Sequence, residues 1–300
     1  GQTHPYNIFN YVDCTTNPVY ERQNEVFIDQ LFQIPPCVES CTFINCTFID
    51  VEKTSQPFAI FVQSTNFFFD SCTFTYSNDF RNDNKIPSQA LGILSAGKTV
   101  ISNSIINGSR FHDLTGGIFY QPSGTISDLQ FVFNNVTFDS IDFGTGSDPE
   151  DVCFYLLLSN LQVEISNIHI SSCTGKTLGG IVDNTRSLFS CDSWTFTSNI
   201  LTSNNPGQIK NMINMPLLAD YRIPLEFNYC TFRSNTKAAD YGTVCRIFSQ
   251  DVSFFNCKFE ENSALNGGAI SIYNVQNPIS IINCTFKANQ ATSDGGSIHF

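Results

Sequence analysis

From Cys41 onward the chain alternates apolar and polar residues in short runs of period two. Cys46-Thr47-Phe48, Cys72-Thr73-Phe74, Cys230-Thr231-Phe232 and Cys284-Thr285-Phe286 each place a polar residue between two apolar ones. This is the signature of a strand with one buried face. Taking the last residue of each such triplet as an anchor gives Phe48, Phe74, Ile106, Phe138, Ile170, Phe196, Phe232, Phe259 and Phe286, spaced 26, 32, 32, 32, 26, 36, 27 and 27 apart. The position two before the anchor reads Cys46, Cys72, Ser104, Val136, Ile168, Trp194, Cys230, Cys257 and Cys284. The position five before reads Phe69, Ile101, Phe133, Ile165, Cys191, Phe227, Phe254 and Ile281. Two strands therefore flank a two-residue gap in every repeat.

The repeat is plainest at the end, where Phe254–Asn262 recurs 27 residues later as Ile281–Asn289, each copy followed by a Gly pair. A period of this size marks stacked units. A third strand follows the Gly pairs, at Ile118–Tyr120, Gly180–Asp183, Val244–Phe248 and Ala269–Ile272. Three parallel strands per coil predict an all-β, right-handed, single-stranded parallel β-helix of roughly eight to nine coils, about 40 Å long. The second gap residue reads Asn45, Ser71, Asn103, Asn135, Asn167, Ser193, Tyr229, Asn256 and Asn283. Asn tolerates left-handed backbone angles, and stacked amides bond one another, so a buried ladder is expected there.

Residues 1–40 lack the triplets and are expected to cap the open end of the core. The helix is expected over 41–300 and beyond, because Phe300 falls inside a strand. An apolar edge there would template association, so end-to-end stacking at Phe300 is the alternative to further coils.

Composition narrows the setting. The 300 residues hold 30 Asn and 29 Phe, with only 14% charged residues and a net charge of −12. That balance opposes nucleic acid and anionic membrane as partners. No apolar run is long enough for a spanning helix, so no membrane insertion is expected within the segment. Twelve Cys and four Asn-x-Ser/Thr sequons favour an extracellular or cell-surface location.

The candidate chemistry is sparse. Cys14, Cys37 and Cys41 are near enough in sequence for one disulfide, with connectivity open. The coil-spaced Cys230, Cys257 and Cys284 read as buried thiols, because parallel Cβ vectors would strain a bridge. Among the sequons Asn107 ranks first as a glycan acceptor, since it follows its anchor into an expected loop. Asn45, Asn135 and Asn283 rank behind it as ladder positions. Asp139, Asp142, Asp148, Glu150 and Asp151 offer hard oxygen ligands for calcium, without an ordered ligand spacing, so a solvated loop is the preferred reading and no cofactor is expected. His169 and His299 fall at outward positions. No carboxylate pair can be placed on adjacent coils, so catalytic residues are not assigned.

Phe-x-x-Asn at Phe196–Asn199, Phe232–Asn235, Phe259–Asn262 and Phe286–Asn289, paired with Gly-Gly-Ala-Ile at 267–270 and near matches at 295–298, 179–182 and 116–119, resembles the repeats of chlamydial polymorphic membrane proteins. Similar repeats occur in surface proteins of some parasitic protists. The likeness is good over 190–300 and degraded over 41–189. It implies a β-helical passenger displayed at a cell surface, commonly adhesive, though the C-terminal membrane barrel of the chlamydial proteins has no counterpart here. The expected function is therefore non-enzymatic adhesion, interaction or scaffolding, with a protein or glycan as partner. The alternative is a polysaccharide lyase or glycoside hydrolase on the same scaffold.

Overall fold

The computed structural model describes residues 8–11, 18–28, 30–34, 39–49, 58–62, 66–75, 89–93, 98–110, 119–121, 130–142, 154–157, 162–175, 178, 181–183, 189–201, 225–242, 245–248, 252–273 and 278–300. The protein is a parallel β-helix. One coil shows the plan. Val252–Phe255 and Lys258–Glu260 form its first and second faces, Ser263–Asn266 follows, and Ile270–Tyr273 forms its third face. Each strand pairs in parallel with its counterpart one coil away, as in Phe227↔Phe254↔Ile281 and Phe232↔Phe259↔Phe286. The third face is built from seven strands between Ile8–Tyr11 and Ile181–Asp183 and from three strands between Cys245–Phe248 and Ile298–His299.

The chain turns between strands at residues with left-handed backbone angles. The first bend turns at Asn45, Ser71, Asn103, Asn135, Asn167, Ser193, Tyr229, Asn256 and Asn283, with φ between 50° and 59°. The second turns at Ser140, Ser172, Ser198, Ser234, Glu261 and Ala288, with φ between 52° and 57°. Gly242, Gly267 and Gly295 serve the corner before the third face. Gly enters this region without steric cost and Asn tolerates it through local hydrogen bonds, whereas the Ser residues, Tyr229, Glu261 and Ala288 meet the penalty of a Cβ there. One residue in this conformation redirects the chain without breaking the ladder. Thr73 N–H still donates to the Cys46 carbonyl of the previous coil at 2.9 Å, and Ser71 N–H to the Ser102 carbonyl of the next at 3.0 Å.

Among the described residues the first face has ten rungs, from Val19–Gln23 to Ile279–Ile282. The additional rung lies inside the segment expected as a cap. Val19–Gln23 pairs with Ser40–Ile44, Val26–Ile28 with Thr47–Ile49, and Ile8–Tyr11 with Gln30–Ile34. The Asn24 bend matches those that follow, with φ 56°. Glu25 stands where later coils carry Cys, which removes the triplet signature while Phe27 keeps the anchor column.

The core consists of the anticipated columns. Phe27, Phe48 and Phe74 stack with ring centroids 5.1 and 4.9 Å apart. Phe196, Phe232, Phe259 and Phe286 stack at 5.3, 5.2 and 4.6 Å. Between the two stacks, Ile106, Phe138 and Ile170 continue the column, all buried. Parallel rungs hold like residues at a fixed separation, so within each stack a ring offers its neighbour an aromatic face that adds about 0.5–1.5 kcal/mol per pair beyond area burial. Among the described residues no helix is long and apolar enough to cross a membrane.

Candidate functional site

Asparagines form two ladders, not one. The first-bend ladder exists, but it lies outside. Asn45 Nδ2 donates to Asn24 Oδ1 at 2.7 Å, Asn103 Nδ2 to Asp70 Oδ1 at 2.8 Å and Asn135 Nδ2 to Asn103 Oδ1 at 2.9 Å. Asn167 Nδ2 donates to Asn134 Oδ1 at 3.0 Å, and Asn283 Nδ2 to Asn256 Oδ1. Asn45, Asn103, Asn135, Asn167 and Asn283 are exposed. The expected buried ladder at this position is thus corrected. The Cys or apolar residue that follows each bend residue points into the core, so its neighbour must point out.

The buried ladder is the Asn of Phe-x-x-Asn. Asn199, Asn235 and Asn262 are fully buried, one residue past the second bend. Asn199 Nδ2 donates to Asn235 Oδ1 at 2.9 Å, Asn235 Nδ2 to Asn262 Oδ1 at 3.0 Å and Asn262 Nδ2 to Asn289 Oδ1 at 3.0 Å. Each amide also donates to the Phe carbonyl, or Ile170 carbonyl, of the preceding coil at 2.8–3.0 Å. Each Oδ1 caps a backbone N–H, such as Cys173 N–H on Asn199 at 2.9 Å. Every amide group is therefore paired, as burial requires. The signal for this ladder was the recurrence of Asn at anchor plus three.

Cys46, Cys72, Cys230, Cys257 and Cys284 are free thiols in the first-bend column, and Cys173 is one in the second bend. Each donates to main-chain carbonyls, as Cys230 Sγ does to Cys191 O at 3.1 Å and Cys257 Sγ to Phe227 O at 3.4 Å. Burial pushes the thiols of Cys72 and Cys173 up to about 12. Contact with the Cys257 thiol, and then burial, raises Cys230. Thiols raised in this way are poor nucleophiles and behave as small apolar residues, whereas the hydrogen bond with Cys230 lowers Cys257. Cys41 is also a buried free thiol, while Cys14 and Cys37 lie outside the described residues.

Asn107 is exposed, but it sits in the strand Ile105–Arg110 between Thr75 and Asp139 of neighbouring rungs, not in a loop. Of the calcium candidates, Asp148, Glu150 and Asp151 lie outside the described residues. Asp139 is half-buried and accepts hydrogen bonds from the hydroxyls of Ser140, at 3.0 Å, and Ser171. Asp142 is half-buried opposite Arg110 and Thr174. Among the described residues no group of three or more His, Cys, Asp or Glu is arranged to hold a metal. His169 is half-buried in the outward column between Thr137 and Thr195, and His299 brings Nδ1 within 3.4 Å of the buried Ser271 hydroxyl.

The outward side of the second face is a column in which Thr predominates, interrupted by Val26, Ile105, His169 and Lys258. Thr47, Thr73, Thr137, Thr195, Thr231 and Thr285 recur in it one or two rungs apart. On the first face the structure assembles a polar cluster that the sequence pattern did not reveal. Asp192 and Glu226 stand on adjacent rungs, joined through Ser190 and Asn228. Ser190 Oγ donates to Asp192 at 3.0 Å, Asn228 Nδ2 to Ser190 Oγ at 3.3 Å and to Glu226 at 2.7 Å. All four are half-buried. No family model, no curated protein and no solved structure matches this chain.

Proposed function

We propose that the protein is a non-enzymatic β-helix displayed outside the cell or on its surface, where it serves adhesion, interaction or scaffolding. The outward Thr column carries this reading. The Cys, Phe and buried Asn of the repeat are all engaged in holding coils together, whereas six of the ten outward positions of the second face carry a Thr hydroxyl, the others being Val26, Ile105, His169 and Lys258. Repeated hydroxyls on a flat face suit a protein or glycan partner bound by many weak hydrogen bonds. Similarity of the Phe-x-x-Asn and Gly-Gly motifs to polymorphic membrane protein repeats supports the same placement. Antibody labelling of unpermeabilised cells, together with binding of the purified chain to glycan and cell-surface protein arrays, tests it. Labelling that requires permeabilisation sinks the proposal.

One observation favours a second reading, a carbohydrate-active enzyme. Asp192 and Glu226 are carboxylates on one face of adjacent coils, as a glycoside hydrolase requires. Release of reducing ends from a polysaccharide panel, lost in both Asp192→Asn and Glu226→Gln, would establish that reading in place of the first.

A further inference from the structure

We propose that Asn45, Asn135 and Asn283 carry N-linked glycans, so that the first bend forms a sugar-bearing edge along the helix. The inference rests on the extracellular reading above. All three begin Asn-x-Thr sequons: Asn45-Cys46-Thr47, Asn135-Val136-Thr137 and Asn283-Cys284-Thr285. Each Asn is exposed at a left-handed turn, with φ of 51°, 56° and 53°. In the first two the middle residue is buried, and in all three the Thr is on the outward column of the next strand. The bend thus turns both acceptor amide and Thr hydroxyl outward while the residue between them anchors the turn.

The ladder does not oppose the modification. A side-chain amide nitrogen carries two protons, and the bonds to Asn24, Asn103 and Asn256 use one each. In the transfer, Nδ2 bonds to the anomeric carbon of an oligosaccharide activated as a lipid pyrophosphate. The bond from that carbon to the pyrophosphate oxygen breaks, the lipid pyrophosphate leaves with its electron pair, and one amide proton passes to a base of the transferase. One N–H remains for the ladder. Asn45 and Asn135 are three rungs apart, and Asn135 and Asn283 five, which separates the glycans by about 14 and 24 Å at about 4.8 Å per rung. Asn107 lies within a paired strand, between Thr75 and Asp139 of the neighbouring rungs, instead of at a bend.

The full chain, secreted from a eukaryotic cell behind a cleavable signal, tests this directly. Enzymatic glycan release in ¹⁸O-water should mark residues 45, 135 and 283 as labelled Asp by mass spectrometry. Thr47→Ala, Thr137→Ala and Thr285→Ala should each remove one glycan from the gel mobility, and the corresponding Thr→Ser variants should retain it with the fold unchanged. Occupancy confined to Asn107, or no occupancy in the secreted chain, overturns the proposal. Native protein found only in the cytosol overturns the surface reading instead, since the supplied signal makes acceptor competence independent of native location.

Discussion

Replacing Asn235 with Ala should be among the most damaging single changes to this helix. Asn235 is fully buried at the middle of the inner ladder. Its Oδ1 accepts the Asn199 backbone N–H at 3.2 Å and Asn199 Nδ2 at 2.9 Å, and its Nδ2 donates to Phe196 O and Asn262 Oδ1, both at 3.0 Å. Asn262 Oδ1 keeps a donor after the change, the backbone N–H of residue 235 at 3.2 Å. Asn199 does not recover its losses. One of its amide protons stays on the Ile170 carbonyl at 2.9 Å, but its backbone N–H and its other amide proton lose Asn235 Oδ1. A buried donor without a partner costs about 1–3 kcal/mol, so two give a loss of about 2–6 kcal/mol before any cavity is counted. Asn135→Gly is the matched control in the outer ladder. It removes an exposed amide, and Gly accepts the left-handed turn, so its cost should stay within about 1 kcal/mol. Urea unfolding followed by far-ultraviolet circular dichroism measures both, and hydrogen exchange at the coils around residue 235 localises the effect. Asn199→Ala combined with Asn235→Ala should cost less than the sum of the two, because the orphaned amide proton of Asn199 is gone. If Asn235→Ala costs no more than Asn135→Gly, the inner ladder does not hold the coils and the reasoning fails.

Three further outcomes follow from the same packing. Thr99 is fully buried in register with Phe67 and Phe131, and its hydroxyl finds no hydrogen-bond partner; Thr99→Val should raise the urea midpoint by about 1 kcal/mol of stability, and a lower midpoint would show that the hydroxyl is satisfied. At Gly268 a Cβ would meet the backbone O and N of Gln290 at 2.5 and 2.7 Å, while at Gly296 it meets no atom within 4 Å; Gly268→Ala should lower the melting temperature sharply and Gly296→Ala leave it unchanged, and equal effects would refute the close approach. Cys72 and Cys173 are neutral below the ordinary thiol value of 9.0 in both folded and unfolded chains, but the folded chain resists ionisation to about 12; stability should hold below pH 9 and fall between pH 9 and 12 as the unfolded state ionises, and Cys72→Val with Cys173→Val should flatten that fall in pH-dependent urea titrations. An identical fall in the double variant would place the titration elsewhere.

What the sequence disclosed followed from how often each constraint is repeated. The Phe and Cys columns were legible because ten rungs ask the same question of the same position. The ladder was legible as a recurrence of Asn, yet its direction was misread. Cys46 and its equivalents had already been placed inward, and a residue adjacent to an inward one must face out. The inner ladder was visible as Phe-x-x-Asn but looked like a signature instead of a buried amide stack. The first rung was hidden by Glu25 and Val26, two substitutions that reverse the apolar-polar order of the triplet. The Asp192–Glu226 cluster was legible only in its positions. The anchors Phe196 and Phe232 put Ser190 level with Glu226 and Asp192 level with Asn228, as the strand register has them, but they do not show the hydrogen bonds that join the four side chains. Which polar side chains on a face bond one another is set by side-chain reach, and a column of positions carries no trace of it.

The backbone bonds that pass uninterrupted through the bends have a mechanical consequence. They run from coil to coil, along the axis of the rod. Tension applied between the two ends therefore loads the bonds of one interface at a time, beginning at an end, and coils peel off singly instead of shearing together. A coil of 27 residues, such as that between Phe259 and Phe286, yields about 90 Å of chain at about 3.4 Å per residue. A tether built this way gives up its length in steps and meets a sustained pull by lengthening before it lets go.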